Sequence, residues 1–333
     1  MIGRAAARRL VRAGWQVDLT GRDPAHMPLD LTEAGARFIP ADRADPDALR
    51  QALGEGADLL VDCICFTAAD ARTLLPLAAH ATSTALISSK AVYVDAYGNH
   101  SNSDTPPDYG GPVTENQPTL PPGDVDHRTR EGYGPNKVAA ELVALDSGLP
   151  ISILRPSRVH GVGSERPREW VFVKRVLDGR STLLLAGGGT GVVHPTAAVN
   201  IAALIETVAA QPGSRILNSA DPDAPSAREI SRIVARRLGH VWDEVPLDAD
   251  ARAGLGRTPW DSRHPVVLDT AASLALGYRP VGGYAETVAD EVDWLVDVYR
   301  AGDPGRVLPG PQDAFFARFF DYAAEDAYLA GRR

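Results

Sequence analysis

The chain has 333 residues, 44% of them hydrophobic and 23% charged, enough for one large domain or two closely joined ones with a sizeable core. Its formal net charge of −9 argues against a protein that grips a phosphate backbone through a basic stripe, so no nucleic-acid partner is expected. No run of about 18 apolar residues offers a membrane span, and the opening MIGRAAARRLVRAGW is amphipathic with arginines at helical spacing, unlike a secretory signal.

In chain order, the first half alternates helical patterns with apolar runs of strand length. Residues 2–13 read as a helix, followed by strands QVDLT (16–20) and RFIP (37–40). A helix over 46–53, with Asp45 as its N-cap, leads to the strand LLVDCIC (59–65). A helix over 68–79, the strand TALIS (84–88), a helix over 134–145 and the strand ISILR (151–155) complete the series. Strands alternating with helices of this length imply right-handed crossovers and an α/β, doubly wound parallel sheet. Cys63 and Cys65, the only cysteines, stand two apart on a strand candidate and are expected on one face, as buried reduced thiols. That geometry does not suit a disulfide, two thiols without nearby His partners are a poor zinc set, and reduced thiols make the cytoplasm the default location.

Between 97 and 131 the pattern gives way to Gly, Pro, Asn, Ser and Asp, a stretch whose length and position predict an active-site lid. After Gly161 come a helix over 170–177, the strand STLLLA, and helices over 200–210 and 227–238. The expected organisation is a nucleotide-binding region over 1–160 and a smaller substrate-binding region over 161–333, with some segments returning to the sheet. No internal repeat is visible.

The sharpest signal is Tyr133-Gly-Pro-Asn-Lys137. Four residues apart on a helix, a phenol and an ammonium share a face. Phenol, with an ordinary pKa of about 10, is a poor base at neutral pH, and a neighbouring ammonium favours the phenolate. With only three lysines in the chain (90, 137 and 174), the spacing gains weight from its surroundings. The run TALIS ends in Ser88-Ser89-Lys90-Ala91-Val92-Tyr93, and ISILR ends in Arg155-Pro156-Ser157-Arg158-Val159-His160-Gly161. Both lie at strand carboxyl ends, where open α/β sheets bind their ligands.

These segments, with IGRAAARRLVRAGWQV, ADRADPDAL, the acidic TENQP, YGPNKVAAE, RILNSADPDAPSAREI and ALGYRP…TVADEVDWL, resemble in their order the extended short-chain dehydrogenases/reductases of the NAD-dependent epimerase/dehydratase family. The resemblance spans nearly the whole chain and implies a Rossmann-type fold. It further implies that Tyr133 is the general acid/base, that Lys137 holds the nicotinamide ribose and tunes Tyr133, and that Ser89 bonds the reacting oxygen. Ser89 is preferred to Ser88 because it stands four before the tyrosine of Val92-Tyr93.

On the cofactor side, Met1-Ile2-Gly3-Arg4 resembles the end of the glycine fingerprint, with Gly3 as its third glycine. The strand and two glycines that precede it in the family have no counterpart here. A late-called start and a variant that binds its dinucleotide weakly are the two explanations, and the first is preferred. At the end of the second strand Gly21 takes the place of the acidic residue of NAD enzymes and Arg22 follows. A guanidinium clamps a 2′-phosphate, so NADP is the expected cofactor, with NAD possible. Asp42, with Arg43 beside it, resembles the aspartate near the adenine, and Cys65, Phe66 and Pro156 are expected to line the cofactor.

Lys90-Ala91 occupy the positions that hold Asp-Glu in the family's dehydratases, which argues against 4,6-dehydration. Arg158 stands where many epimerases carry Asn for a sugar-nucleotide diphosphate, and Ala198-Val199-Asn200-Ile201-Ala202 replaces the usual Val-Asp-Asp-Val-Ala. The glycine run 187–189 with Thr190-Gly191 lacks the Lys-Ser/Thr of a phosphate loop and reads as a flexible turn. His127, His160 and His194 read as polar loop residues without a second ligand at metal spacing, so no metal is expected. The expected function is an NAD(P)-dependent oxidoreductase or epimerase acting on a small, sugar-like hydroxyl or carbonyl compound, with a homodimer as a further expectation by resemblance. The competing class is a dinucleotide-sensing protein of the same fold.

Overall fold

The computed structural model describes residues 1–248, 254–302 and 308–332. The parts of the 161–333 region at 249–253, 303–307 and 333 lie outside the described residues. Two compact units are present. The first comprises Met1–Val159, Ala198–Ala220 and Leu268–Val281; the second comprises His160–Ala197, Asp221–Val267 and Gly282–Arg333.

In the first unit, strands Ala57–Asp62, Ala81–Ile87, Ile151–Pro156 and Arg215–Ser219 form a parallel sheet in that order. One row runs across it through Val61, Ala85, Ser152 and Arg215. Alternation along the strands decides which helices they meet. Leu59, Val61, Ala85, Ile87, Leu154 and Leu217 pack with helices Ile2–Arg12 and Ala198–Ala210. Leu60, Leu86, Ile151, Ile153 and Ile216 turn to the other face, against helices Ala68–Ala78 and Tyr133–Asp146. Both faces are covered, which is why these strands read as continuous apolar runs. A separate parallel pair, Asp18–Gly21 with Arg37–Pro40, packs around Ala7, Leu31 and Ala36. The doubly wound sheet is therefore found in two pieces.

Asp45 caps the Pro46–Leu53 helix through the N–H groups of Asp47 and Ala48, as its position predicts. The cysteine expectation needs correction. The strand stops at Asp62, whose carboxylate accepts the N–H of Ile64 and turns the chain. Cys63 consequently packs with one helix layer and Cys65 with the other, and both are free thiols. Burial above all, and the charge of Asp62, push both thiols up to about 12.

The second unit pairs strands Thr182–Ala186 and Asp243–Leu247 in parallel. Helices Trp170–Leu177, Ala227–Arg237 and Ala289–Ala301 bury Phe172, Ile230, Val292 and Leu295 with Trp260 and Phe316. A buried bidentate pair of Arg175 and Glu325 ties the Tyr322–Ala330 helix to this core. Gly187, Gly188 and Gly189 take left-handed φ values of 57°, 62° and 68° in a single tight turn. No helix among the described residues is long and apolar enough to cross a membrane.

Candidate active site

Strand Ala81–Ile87 delivers two serines with different surroundings. Ser88 is buried and donates to Glu141. Ser89 caps the turn Lys90–Val92, its Oγ accepting the N–H of Ala91 at 3.1 Å. The helix carrying Tyr133 approaches that turn through Gly134. A Cβ there would stand 2.5 Å from the Leu120 side chain and 2.9 Å from the Ala91 carbonyl oxygen, so only glycine permits the approach. Tyr133, the first residue of this helix, is thereby set near Ser89, whose hydroxyl acts on the phenol. Asn136, also buried, donates to the carbonyls of Val125 and Gly132 and so fastens the preceding loop to the same helix turn.

Lys137 stands one turn further along and is 2% exposed. Its ammonium donates to the carbonyls of Cys65 at 2.7 Å and Ile87 at 2.9 Å, and lies 4.4 Å from the centre of the Phe66 ring. It is 6.0 Å from the Tyr133 ring centre. Burial drives the phenol above its ordinary value, with the nearby Ser89 hydroxyl opposing, and drives the ammonium below its own. The lowering of Tyr133 that the sequence spacing predicts is thus outweighed by desolvation in this arrangement, because the ammonium is turned to backbone carbonyls. Phe66 also stacks on His127, with ring centres 5.1 Å apart and 15° between planes. His127 therefore belongs to the aromatic wall beside Tyr133 and Lys137, and not to an isolated loop.

Among the expected cofactor residues, Gly3 lies in the first turn of the Ile2–Arg12 helix, whose N-terminus has no side-chain cap and no acidic residue. A Cβ at Gly3 would meet only the Cys63 sulfur, at 3.6 Å. Arg22 is exposed just past the Asp18–Gly21 strand, and Asp42 caps Ala44 after Arg37–Pro40. Arg43 is committed to Asp62 at 2.7 Å and Asp70 at 3.4 Å. Cys65 and Phe66 follow the Ala57–Asp62 strand, and buried Pro156 ends Ile151–Pro156. Gly3, Asp42, Cys65, Phe66 and Pro156 thus stand at a helix start or at or past strand carboxyl ends, the places where a sheet of this kind holds a dinucleotide.

Residues without an assigned role in the sequence hold this site together. The Glu141 carboxylate on the Tyr133 helix takes a bidentate pair from Arg155, with side chains 3% and 4% exposed. Tyr93 donates to Asn218, whose N–H is accepted by Glu115 of the acidic TENQP segment. Asp95 accepts N–H groups from Tyr97, Asn99 and Asp108, and these bonds outweigh its burial to pull its carboxyl down to about 2. Residues 97–131 are thus fastened at several points, despite a loop-like composition. His160 and His194 depart from the expectation of polar loop residues. Both are buried, bonded to the carboxylate and the carbonyl of Asp221 respectively.

The chain belongs to the NAD dependent epimerase/dehydratase family, whose model matches residues 1–218. Among solved structures it resembles a putative epimerase from Burkholderia cenocepacia J2315, at 22% identity and TM-score 0.67, over 90% of this chain and 95% of that one. It is also similar to the dTDP-glucose 4,6-dehydratase of Bacillus anthracis str. Ames in complex with NAD, at 15% identity and TM-score 0.64, over 89% and 94%. The UDP-glucose 4-epimerase of Thermus thermophilus, in complex with NAD, resembles it at 17% identity and TM-score 0.63, over 89% and 96%. No curated protein matches it in sequence. Likeness at these identities is a likeness of fold, which is Rossmann-type.

Proposed function

We propose that this protein oxidises, reduces or epimerises a hydroxyl-bearing carbon of a small, sugar-like substrate, with Tyr133 as acid/base, Ser89 as oxyanion donor and Lys137 as ribose holder. The placement of Tyr133 near Ser89, with the buried Lys137 one helical turn on, carries this reading. The bound nicotinamide supplies or accepts the hydride. In oxidation the substrate O–H proton passes to the Tyr133 oxygen as the C–H leaves as hydride; in reduction both return. Ser89 donates to the oxygen on which charge develops. Epimerisation follows when the ketone stays bound and takes hydride back on its opposite face. Dehydration is not part of the proposal, because Lys90-Ala91 provide no acid where a 4,6-dehydratase needs one. Titrating the protein with NADPH and NADH by nicotinamide fluorescence is the first test, and absence of binding to both would remove the enzyme reading. Binding without turnover of any sugar-like alcohol would instead favour a sensing role. A cytoplasmic homodimer through the Tyr133 helix, which leaves Leu142 exposed, completes the proposal.

For the cofactor we propose NADP, held at the Ile2–Arg12 helix N-terminus with Arg22 on its 2′-phosphate and Asp42, Cys65, Phe66 and Pro156 along its length. Arg22→Ala is expected to weaken NADPH binding about 10- to 100-fold, the value of a charge-assisted bond, and to leave NADH unchanged. Equal effects on the two nucleotides, or none, would remove the assignment. Because Tyr133 sits above its ordinary pKa, it is protonated at neutral pH. Reduction, which needs the phenol, should then have a kcat/KM that is level from about pH 6 to 9, while that for alcohol oxidation climbs throughout. An oxidation profile that levels off near neutrality would show the phenol to be lowered instead.

A further inference from the structure

We propose that His160, Glu169 and Glu291, within the second unit, form a closed site for one divalent transition-metal ion that fastens this unit's core. Their potential ligand atoms lie within 4.8 Å of one another, and the three residues are 1%, 1% and 0% exposed. Nε2 of His160 is fixed by the Asp221 carboxylate at 2.9 Å. Its Nδ1 therefore faces Glu291, 3.8 Å from Oε2, and makes no hydrogen bond. Glu291 Oε2 accepts the N–H of Gly161 at 2.6 Å, while Oε1 has no hydrogen-bond partner. Glu169 accepts from the Tyr284 hydroxyl at 3.0 Å.

Buried polar atoms without partners are costly, and here two of them converge. Two buried carboxyl groups side by side next to Tyr284 also favour positive charge, which Arg168 supplies only in part. A divalent ion neutralises both and takes the free lone pairs of His160 and Glu291. One imidazole with two carboxylates is a donor set for zinc-like ions at about 2.0–2.2 Å, reached by small side-chain rotations. Each ligand already has the outer support such sites use. Asp221 orients the imidazole, Gly161 N–H holds one Glu291 oxygen, and Tyr284 holds Glu169. Positions 160, 169 and 291 are too far apart in sequence to display metal spacing. The fold alone joins them, bringing the first turn of Ala289–Ala301 against the start of Trp170–Leu177.

The test is zinc uptake by chelator-treated protein, measured by elemental analysis after dialysis, together with thermal unfolding. The wild type should take up about one ion per chain and melt at a higher temperature with it. Glu291→Gln, which keeps the shape and the Gly161 bond, should lose both effects. Asp221→Asn should weaken uptake about 10- to 100-fold. Cobalt in the wild type should give a ligand-field spectrum without thiolate charge-transfer bands, a readout that does not depend on a variant folding. No uptake by the wild type, equal uptake by Glu291→Gln, or thiolate bands from Cys63 and Cys65 would overturn the proposal. In the first two cases the carboxyls share a proton instead.

Discussion

Replacing Tyr133 by Phe is expected to lower kcat about 10²- to 10⁴-fold, the range for loss of a positioned acid/base, while nicotinamide-nucleotide affinity stays within about twofold. The substitution removes one oxygen and keeps the ring that packs, at 6.5 Å between centres, against Phe66. The loss should therefore fall on chemistry and not on folding. Ser89→Ala should lower kcat in the same direction. A Tyr133→Phe variant that turns over substrate at the wild-type rate would remove Tyr133 from the mechanism. Single-turnover measurement of hydride transfer is the decisive readout, because slow product release can mask a chemical defect in the steady state.

Glu141→Ala should destabilise the protein by about 3–5 kcal/mol, because it leaves the Arg155 guanidinium buried and unpaired. The Arg155 side chain is 4% exposed, and its guanidinium lies 4.8 Å from the Tyr93 ring centre. Ser88 would lose its acceptor in the same step. Against a stability of about 5–15 kcal/mol for a typical domain, a loss of this size is severe. Urea unfolding followed by tryptophan fluorescence measures it, and a change below about 1 kcal/mol would show that the pair is dispensable. Exchanging both partners for apolar residues of similar volume should cost far less, since the penalty lies in the unpaired charge. Loss of the pair would also be felt in the site, because Glu141 is on the helix that carries Tyr133 and Lys137.

Much of the layered unit was legible because its signals are local. Strands buried on both faces are written as apolar runs, and Asp45 followed by Pro46 marks a helix start. The Tyr-x-x-x-Lys spacing needs only a helix to bring its ends to one face. What stayed hidden depends on contacts distant in sequence. Nothing in LLVDCICF tells where the strand ends; the side chain of Asp62 decides it by capping Ile64, and this separates the two cysteines. Glu141 and Arg155 look like ordinary surface residues until helix and strand dock, and the Phe66–His127 stack joins residues 61 positions apart. His160 read as polar loop because histidine is common there, yet Asp221 and Glu291 come to it from far along the chain. The tuning of Tyr133 was misjudged for a related reason. Spacing reports that an ammonium is near, but not that two backbone carbonyls engage it first.

The absent side chain at position 134 makes the active site a matter of backbone contact. The phenol and the serine are held at their spacing by a helix turn resting directly on a neighbouring turn, with no interposed rotamer to adjust. Such a gauge is insensitive to drift elsewhere in the sequence, because surface substitutions do not change the thickness of a peptide unit. It is equally intolerant at its own position, where one added methyl group would have to displace the helix or the turn. Anyone reshaping this site for a different substrate has more room at His127, the outer face of the aromatic stack, than at position 134. The separation between Tyr133 and Ser89 is not open to tuning by degrees.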